Sequence, residues 1–505
     1  MISNKLTKPP ASLRAFPKSS DTREVAQAAV KGTKWVFLSA LVSNACQPIF
    51  AIIIARLLVP SDFGLIAYAT IFMGIVKLVQ DVGLREALIQ RKEDIEKSAD
   101  VIFTVNIVLG LIWYLGAFIV APYLSNFFND IRVTNILRIM ALSFLIIPFG
   151  SVQNTLLTKH LHFSKLFILG LVPALIPGVV SIVLAIVGYG VWSLVYGSLM
   201  GAFSNVLVTW VMVPWRPRWR FDRSLAGQML KFGGAVSSES LLSWTVNTID
   251  DVLVGKWLGG AALGFYTLGF RIGIAPAKYV SSSLIRVAFP AFSMLQDNKN
   301  AVRDAFLKAV KYISIVTFPF GVGIAVTASL FVPVLFGEKW VQAVPVIQLI
   351  SLYGIFMSIG SILPQIYKAL GRPDIYLKYV AVRCTVAVPV YFYAVPMGLT
   401  AISIAHLVLT TIFFPINIYI GMRIMAIPFR KLVDSLWVSI TGAMGVAFIS
   451  LFLQKIVLLN VTLSSVWILA LTVFIASVTY ISHVYFISKG TFWEMRDLIK
   501  RAFAK

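Results

Sequence analysis

The sequence predicts an all-α polytopic membrane protein, and three observations carry that prediction. Of the 505 residues, 58% are apolar and only 13% are charged, against about 45–50% and about 25% in soluble globular chains. The apolar residues gather into fourteen stretches bounded by charges or turn residues, each near the length of about 20 residues that a membrane helix needs. The lysines and arginines then sort to one side of those stretches, as they do in membrane proteins. A soluble enzyme, a secreted disulfide scaffold and a nucleic-acid binder are excluded together, because no set of water-soluble cores buries so much apolar surface.

The first six stretches run over 33–55, 63–84, 101–122, 133–154, 166–187 and 190–213. The next six cover 231–254, 262–284, 312–335, 341–366, 376–396 and 400–421, and two more follow at 432–453 and 463–487. Between the fifth and sixth the only punctuation is Gly188-Tyr189-Gly190. The organisation expected from this order is a tail over 1–30, a six-helix lobe over 31–224 and a second over 225–431. Two further helices over 432–488 and a basic tail over 489–505 complete it. Residues 22–34 suit either a short amphipathic helix on the membrane surface or a solvated basic linker. The first apolar run starts at Trp35 and is too long for a signal-peptide core, so no cleaved leader is expected.

With the N-terminus placed in the cytoplasm, 33 of the 44 lysines and arginines fall in cytoplasmic tails and loops, five on the other side and six within spans. One miscounted helix would scramble that asymmetry. Both termini are therefore expected in the cytoplasm, and the net charge of +23 reports the positive-inside rule in place of a nucleic-acid partner. Cys46 and Cys384 lie in apolar stretches, and the four histidines, His160, His162, His406 and His483, show no spacing with cysteines or carboxylates that suits a metal. Loops on both sides are short. They leave no room for an extracytoplasmic catalytic domain and hold no phosphate-cradling glycine loop.

An internal repeat is visible at an offset of 200 residues. Arg56-Leu57-Leu58 with Gly64 recurs as Lys256-Trp257-Leu258 with Gly264, and Leu84 with Leu284. Each half opens with two long helices joined by a basic-plus-glycine turn. That pattern predicts two parallel lobes related by an axis along the membrane normal. Prolines within spans, among them Pro48, Pro173, Pro276, Pro319 and Pro415, predict kinks, which suit both rocking lobes and static bundles.

Ionisable groups at membrane depth cost about 2.5–3.5 kcal/mol each on insertion scales and mark pathways or partners. The six embedded bases are Lys77, Arg138, Arg271, Lys278, Arg286 and Arg383. At about 1.5 Å per residue, Arg271 lies near mid-depth, with Lys77, Lys278 and Arg383 about 10 Å from the cytoplasmic face. Asp81 is one turn from Lys77, Glu239 lies near the depth of Lys278, and Asp250 and Asp251 sit toward the outer end of their helix. One account is mutual pairing, of Lys77 with Asp81 and of Glu239 with Lys278. The other is a basic cavity built for an anionic head group, in which an arginine fork binds two phosphate oxygens at once. Arg271 has no acid at its own depth and favours the second. Arg271 and Lys278, seven residues apart, are expected on one helix face.

The runs Ala55-Arg56-Leu57-Leu58-Val59-Pro60-Ser61-Asp62-Phe63-Gly64, Asp81-Val82-Gly83-Leu84 and Ala87-Leu88-Ile89-Gln90-Arg91-Lys92 resemble polysaccharide-transporter flippases. So do Phe289-Pro290-Ala291-Phe292 and Val332-Pro333-Val334-Leu335-Phe336-Gly337-Glu338-Lys339-Trp340. These flippases belong to the multidrug/oligosaccharidyl-lipid/polysaccharide (MOP) exporter superfamily, with Wzx-type, MurJ-type and MATE members. Within it the chain is most similar to colanic-acid and exopolysaccharide exporters, over about residues 30–490. The resemblance implies a MATE/MurJ-like pair of lobes in the bacterial inner membrane. It also implies alternating access without ATP hydrolysis. The implied cargo is an undecaprenyl-diphosphate-linked oligosaccharide for exopolysaccharide, capsule or O-antigen synthesis, moved from the cytoplasmic to the outer leaflet. Membrane lipids and a polysaccharide polymerase or export machinery are the implied partners.

Basic residues on early helices of each lobe line the cavity in lipid-flipping relatives, which matches Lys77, Arg271 and Lys278 in position, with Arg383 in support. This chain departs from the pattern in lacking an arginine in the middle of its first helix. No bound cofactor is implied. A Na+ or H+ gradient is the expected source of energy, with Glu239 and Asn247 as candidate coupling residues and Asp81 as a coupling or pairing residue. The competing function in the same fold is an ion-coupled, MATE-like drug or small-molecule antiporter. Such a protein exporting cations needs an acidic cavity, against which six embedded bases argue.

Overall fold

The computed structural model describes residues 42–80, 84–90, 94–159, 163–218, 222–460, 465–490, 493–494 and 496–497. For Lys77, Glu239, Asn247 and Arg286 it describes the helical backbone alone. The expected tail, the segment 22–34 and Asp81 lie outside the described residues. All regular structure among the described residues is helical. Nine helices there are long and apolar enough to cross a membrane, or up to eleven when each of two bent pairs counts as one span. Side chains such as Leu111, Ile112, Leu115 and Ile119, or Phe448 and Phe474, stand exposed. Exposed apolar surface on this scale belongs against lipid.

The chain divides into two compact units. One holds the described residues up to Leu58 together with Leu65–Thr248, and the other holds Val59–Gly64 and Ile249–Lys505.

In the first unit, α1 (Val42–Leu57) is followed by α2 (Pro60–Gln80), α3 (Leu84–Gln90) and α4 (Ile95–Phe128). The stretch predicted as a single span at 133–154 is broken into α5 (Arg132–Met140), α6 (Ser143–Ile146) and α7 (Pro148–Lys159). The bend at the α6–α7 break is 46°. Pro148 brings no N–H to the carbonyl one turn back, which is why the helix cannot continue straight. Then come α8 (Phe163–Ile186) and α9 (Val191–Met212), joined by a turn in which Gly188 and Gly190 both take positive φ, as their pairing in sequence predicts. After α9 the chain folds back over the start of α4. Buried Asp100 accepts a bond from the Arg218 N–H at 3.0 Å, and Lys97 pairs with Asp222 at 2.7 Å. In the turn between α4 and α5, the Arg132 guanidinium hydrogen-bonds Asp130 and holds its carboxyl below the usual range.

One long helical run, α10 (Arg223–Gly273), passes from the first unit to the second. It is interrupted at Gly259, whose φ of 83° and ψ of 177° only glycine adopts without strain. The second unit continues with α11 (Ala275–Leu295) and α12 (Lys299–Phe331). A π-helical turn, Val332–Phe336, and a 3-10 turn, Glu338–Ala343, meet at Gly337 and lead into α13 (Val344–Gly360) and α14 (Leu363–Ala369). There follow α15 (Pro373–Ala394), α16 (Leu399–Met425), α17 (Phe429–Asn460) and α18 (Ser465–Ile487). The apolar part of Glu338–Ala369 is 61% buried, against 17% for Pro373–Met397 and Ser465–Ile487, which makes α13 the centre of this unit. The last two helices dock on α12 through polar groups: Ser314 Oγ lies 2.8 Å from Ser439 Oγ, and the Tyr480 hydroxyl donates to the Ile315 carbonyl at 2.7 Å.

The 200-residue repeat has a structural counterpart. Gly64 rests against the backbone of Gly260, and Gly264 rests against that of Pro60, so that a Cβ on either glycine would overlap a carbonyl oxygen. Residue 64 meets 260 while residue 264 meets 60. That reciprocity is the mark of a two-fold contact. Phe63 and Phe265 both set an edge against the buried Trp340 ring, at centroid distances of 5.0 and 5.8 Å.

Candidate functional site

Arg271 closes α10 and Lys278 lies in the first turn of α11. The sequence places them on one face of one helix. The structure separates them by a break at Ile274, where the two helices bend by 47°. Pro276 is the cause, since it has no N–H for the carbonyl of Ile272 and its ring crowds that turn. Both side chains are exposed, and neither forms an ion pair among the described residues. A guanidinium and an exposed ammonium can each give charge-assisted hydrogen bonds to the oxygens of an anion.

Arg383 on α15 has protein partners. It is half-buried among tyrosines, beside Tyr353 on α13 and Tyr379 and Tyr391 on its own helix. Lys77 lies in the last turn of α2, and Glu239 and Asn247 lie in the first half of α10. Their side chains, like all of Asp81, are outside the described residues, so the expected pairs Lys77–Asp81 and Glu239–Lys278 are too.

Beside Arg383 lies a polar cluster inside the second unit. His406 on α16 is buried, and its Nε2 is 3.0 Å from Asp250 Oδ2 on α10. Tyr266, fully buried, donates its hydroxyl to the same Oδ2 at 2.7 Å and lies 3.0 Å from Nε2. The other ring nitrogen, Nδ1, is 2.9 Å from the Tyr391 hydroxyl. Aromatic rings close around the imidazole: Tyr391 stacks on it at 4.4 Å, and Phe270 and Tyr353 present edges at 5.5 and 5.6 Å. Among the described residues, no three His, Cys, Asp or Glu side chains come together as a metal ion would require.

A family model described as "Polysaccharide biosynthesis protein" matches residues 53–345, more than half of the chain. The chain belongs to that family. The lipopolysaccharide biosynthesis protein WzxC of Escherichia coli (strain K12) is 24% identical over 420 residues, covering 81% of this chain and 84% of its own. The teichuronic acid biosynthesis protein TuaB of Bacillus subtilis (strain 168) is 25% identical over 68% of this chain and 72% of its own length. Among solved structures, the lipid II flippase MurJ in an inward closed conformation overlays with a TM-score of 0.73 at 14% identity, over 93% of this chain and all of that one. An inward-facing MATE multidrug transporter of the MOP superfamily overlays at 0.57, with 16% identity, 76% of this chain and 98% of its own. At those identities the overlays establish the fold of this family member: an all-helical, multi-pass membrane protein of MurJ/MATE type.

The sequence pointed to Arg271 and Lys278 by charge and depth. It places Asp250 near the outer end of its helix without a partner, and the spacing of His406 shows no sign of a metal site. The signal was present all the same. A histidine in Ile404-Ala405-His406-Leu407 and an aspartate after Ile249 are ionisable groups in apolar runs, and such groups mark function in membranes.

Proposed function

We propose that this family member is a flippase. It carries an isoprenoid-diphosphate-linked oligosaccharide from the cytoplasmic to the outer leaflet of the bacterial inner membrane by alternating access. The observation that carries the proposal is the exposed pair Arg271 and Lys278, two cations in an apolar stretch with no ion-pair partner among the described residues. In the proposed mechanism the diphosphate binds there. The guanidinium fork takes two oxygens and the ammonium a third, while Lys77 and Arg383 add positive potential. The saccharide follows an aqueous path and the prenyl tail stays in lipid. Fourteen spans, two six-helix lobes with two added helices, and cytoplasmic termini are part of the same proposal, supported by the distribution of lysine and arginine. Membrane lipids and a polysaccharide polymerase or export machinery are its proposed partners.

A MATE-like antiporter is the second reading, supported by the fold overlay. For cationic substrates it is disfavoured by the basic character of the embedded charges, which repel them. The experiment is deletion of the gene in a strain with no redundant flippase. Loss of surface polysaccharide with accumulation of the lipid-linked precursor supports the flippase. Unchanged polysaccharide with no accumulation refutes it.

A further inference from the structure

The chain that follows α18 has no part in moving a cargo, yet the fold holds it in a definite place. In the second unit α17 runs alongside α12, with Ser439 against Ser314 and Gln454 against the Val326 carbonyl. α18 returns beside them, its Tyr480 hydroxyl on the Ile315 carbonyl. Continued straight, α18 would carry Glu494, 14 residues later, about 21 Å beyond Ile315. The chain instead leaves helical geometry at Ser488 and is helical again at residues 489, 490, 493, 494, 496 and 497. Glu494 accepts a hydrogen bond from the Tyr312 hydroxyl at 3.0 Å and lies 3.9 Å from Lys311 Nζ. The segment has therefore turned, and comes back to α12 within a turn of the level that Tyr480 touches.

That level is where α12 changes character. Lys299, Arg303, Asp304, Lys308 and Lys311 precede it, and no charged residue follows until Glu338. Trp437, two residues before Ser439 on α17, stands 55% exposed at the same height. A step from charged to apolar residues, flanked by tyrosine and tryptophan, marks the edge of the hydrocarbon layer. At that edge Trp493 is exposed, with the Arg496 guanidinium 4.4 Å from its ring centroid, so a cation is held beside an interfacial indole. Over 488–505 the sequence carries Lys489, Arg496, Lys500, Arg501 and Lys505 against only Glu494 and Asp497. Of those two acids, Glu494 already faces Lys311 and Tyr312. Phe492, Met495, Ile499 and Phe503 recur at intervals of three and four, the spacing of one helix face. An apolar face with an excess of cations beside it suits a surface attracted to anionic lipid.

We propose that residues 488–505 bind anionic phospholipid on the leaflet at which α18 ends, with Glu494 tying the segment to α12. Head-group phosphates pair with Lys489, Arg496 and the cations that follow, and the apolar positions enter the acyl boundary. The partner is the lipid surface, because the segment is held at the hydrocarbon edge and its excess charge is opposite in sign to anionic head groups. This contact is independent of the cargo carried.

The test uses the full chain with Cys46 and Cys384, its only cysteines, replaced by alanine. Asp497→Cys, Ile499→Cys, Arg501→Cys or Phe503→Cys is then added singly to carry a nitroxide. Each protein is reconstituted into vesicles of phosphatidylcholine, with or without phosphatidylglycerol. Collisions of the label with oxygen, which concentrates in lipid, are compared with those of a water-soluble nickel chelate. With phosphatidylglycerol present, labels at 499 and 503 are expected to meet mainly oxygen, and those at 497 and 501 mainly nickel. In phosphatidylcholine alone, or with Lys489→Gln, Arg496→Gln and Lys500→Gln combined, the preference for oxygen at 499 and 503 is expected to fall several-fold. Labels in water at all four positions overturn the lipid contact. Immersion that neither the anionic lipid nor the three substitutions alter also overturns it. So does shielding of 499 and 503 from both reagents, which would put the segment against protein.

Discussion

At the scale of single residues, the proposed flippase rests most heavily on one arginine. Arg271 is exposed at the end of α10, where the chain bends at Ile274. A hydrogen bond to a charged group is worth about 1.5–3 kcal/mol, which corresponds to roughly 10–150-fold in cargo affinity. Arg271→Ala is therefore expected to abolish export while leaving expression and membrane insertion intact, as read by surface polysaccharide and by detergent-extracted yield. Full export by that variant would remove Arg271 from the site. Arg271 was legible in the sequence as an embedded arginine with no acid at its own depth. The Asp250–His406 pair was not, because its partners lie 156 positions apart in the chain and only the packing of α10 against α16 brings them to 3.0 Å.

At the scale of elements, the apolar runs marked where helices lie, but not where they break. The stretch at 133–154 is one span by hydropathy and three helices in the structure. The stretches at 231–254 and 262–284 become a run joined through Gly259 and then bent before Pro276. Hydropathy is blind to a missing N–H or a positive φ, whereas proline and glycine positions report both. The repeat shows the reverse case. Its sequence identity is weak, yet residues 60 and 64 interlock reciprocally with 260 and 264. Gly64→Val and Gly264→Val are each expected to destabilise the protein by about 1–3 kcal/mol, the cost of overpacking against backbone that cannot yield. Thermal unfolding in detergent checks this, and an unchanged midpoint in both variants would show that the contact is not maintained.

At the scale of the whole molecule, composition and charge asymmetry specify a multi-pass membrane protein before any side chain is placed. The family model and the MurJ and MATE overlays agree with that class. The proposed orientation, with both termini in the cytoplasm, rests on the lysine and arginine distribution and is open to a direct check. Cys46 and Cys384 are the only cysteines. In a variant lacking both, a cysteine placed at Ser488 is expected to react with an impermeant maleimide only after the inner face is opened, and one at Ile131 in intact spheroplasts. The opposite pattern would invert the topology.

The central claim is that this chain moves a lipid-linked oligosaccharide between leaflets. Reconstituting the purified protein into vesicles with an undecaprenyl-diphosphate-linked oligosaccharide tests it most directly. The fraction of saccharide reachable by an external, membrane-impermeant glycosidase is followed over time, with Arg271→Ala as the control. Faster loss of leaflet protection with wild-type protein than with the variant or with empty vesicles is the predicted result. Equal rates in all three, from protein shown to be folded, would contradict it.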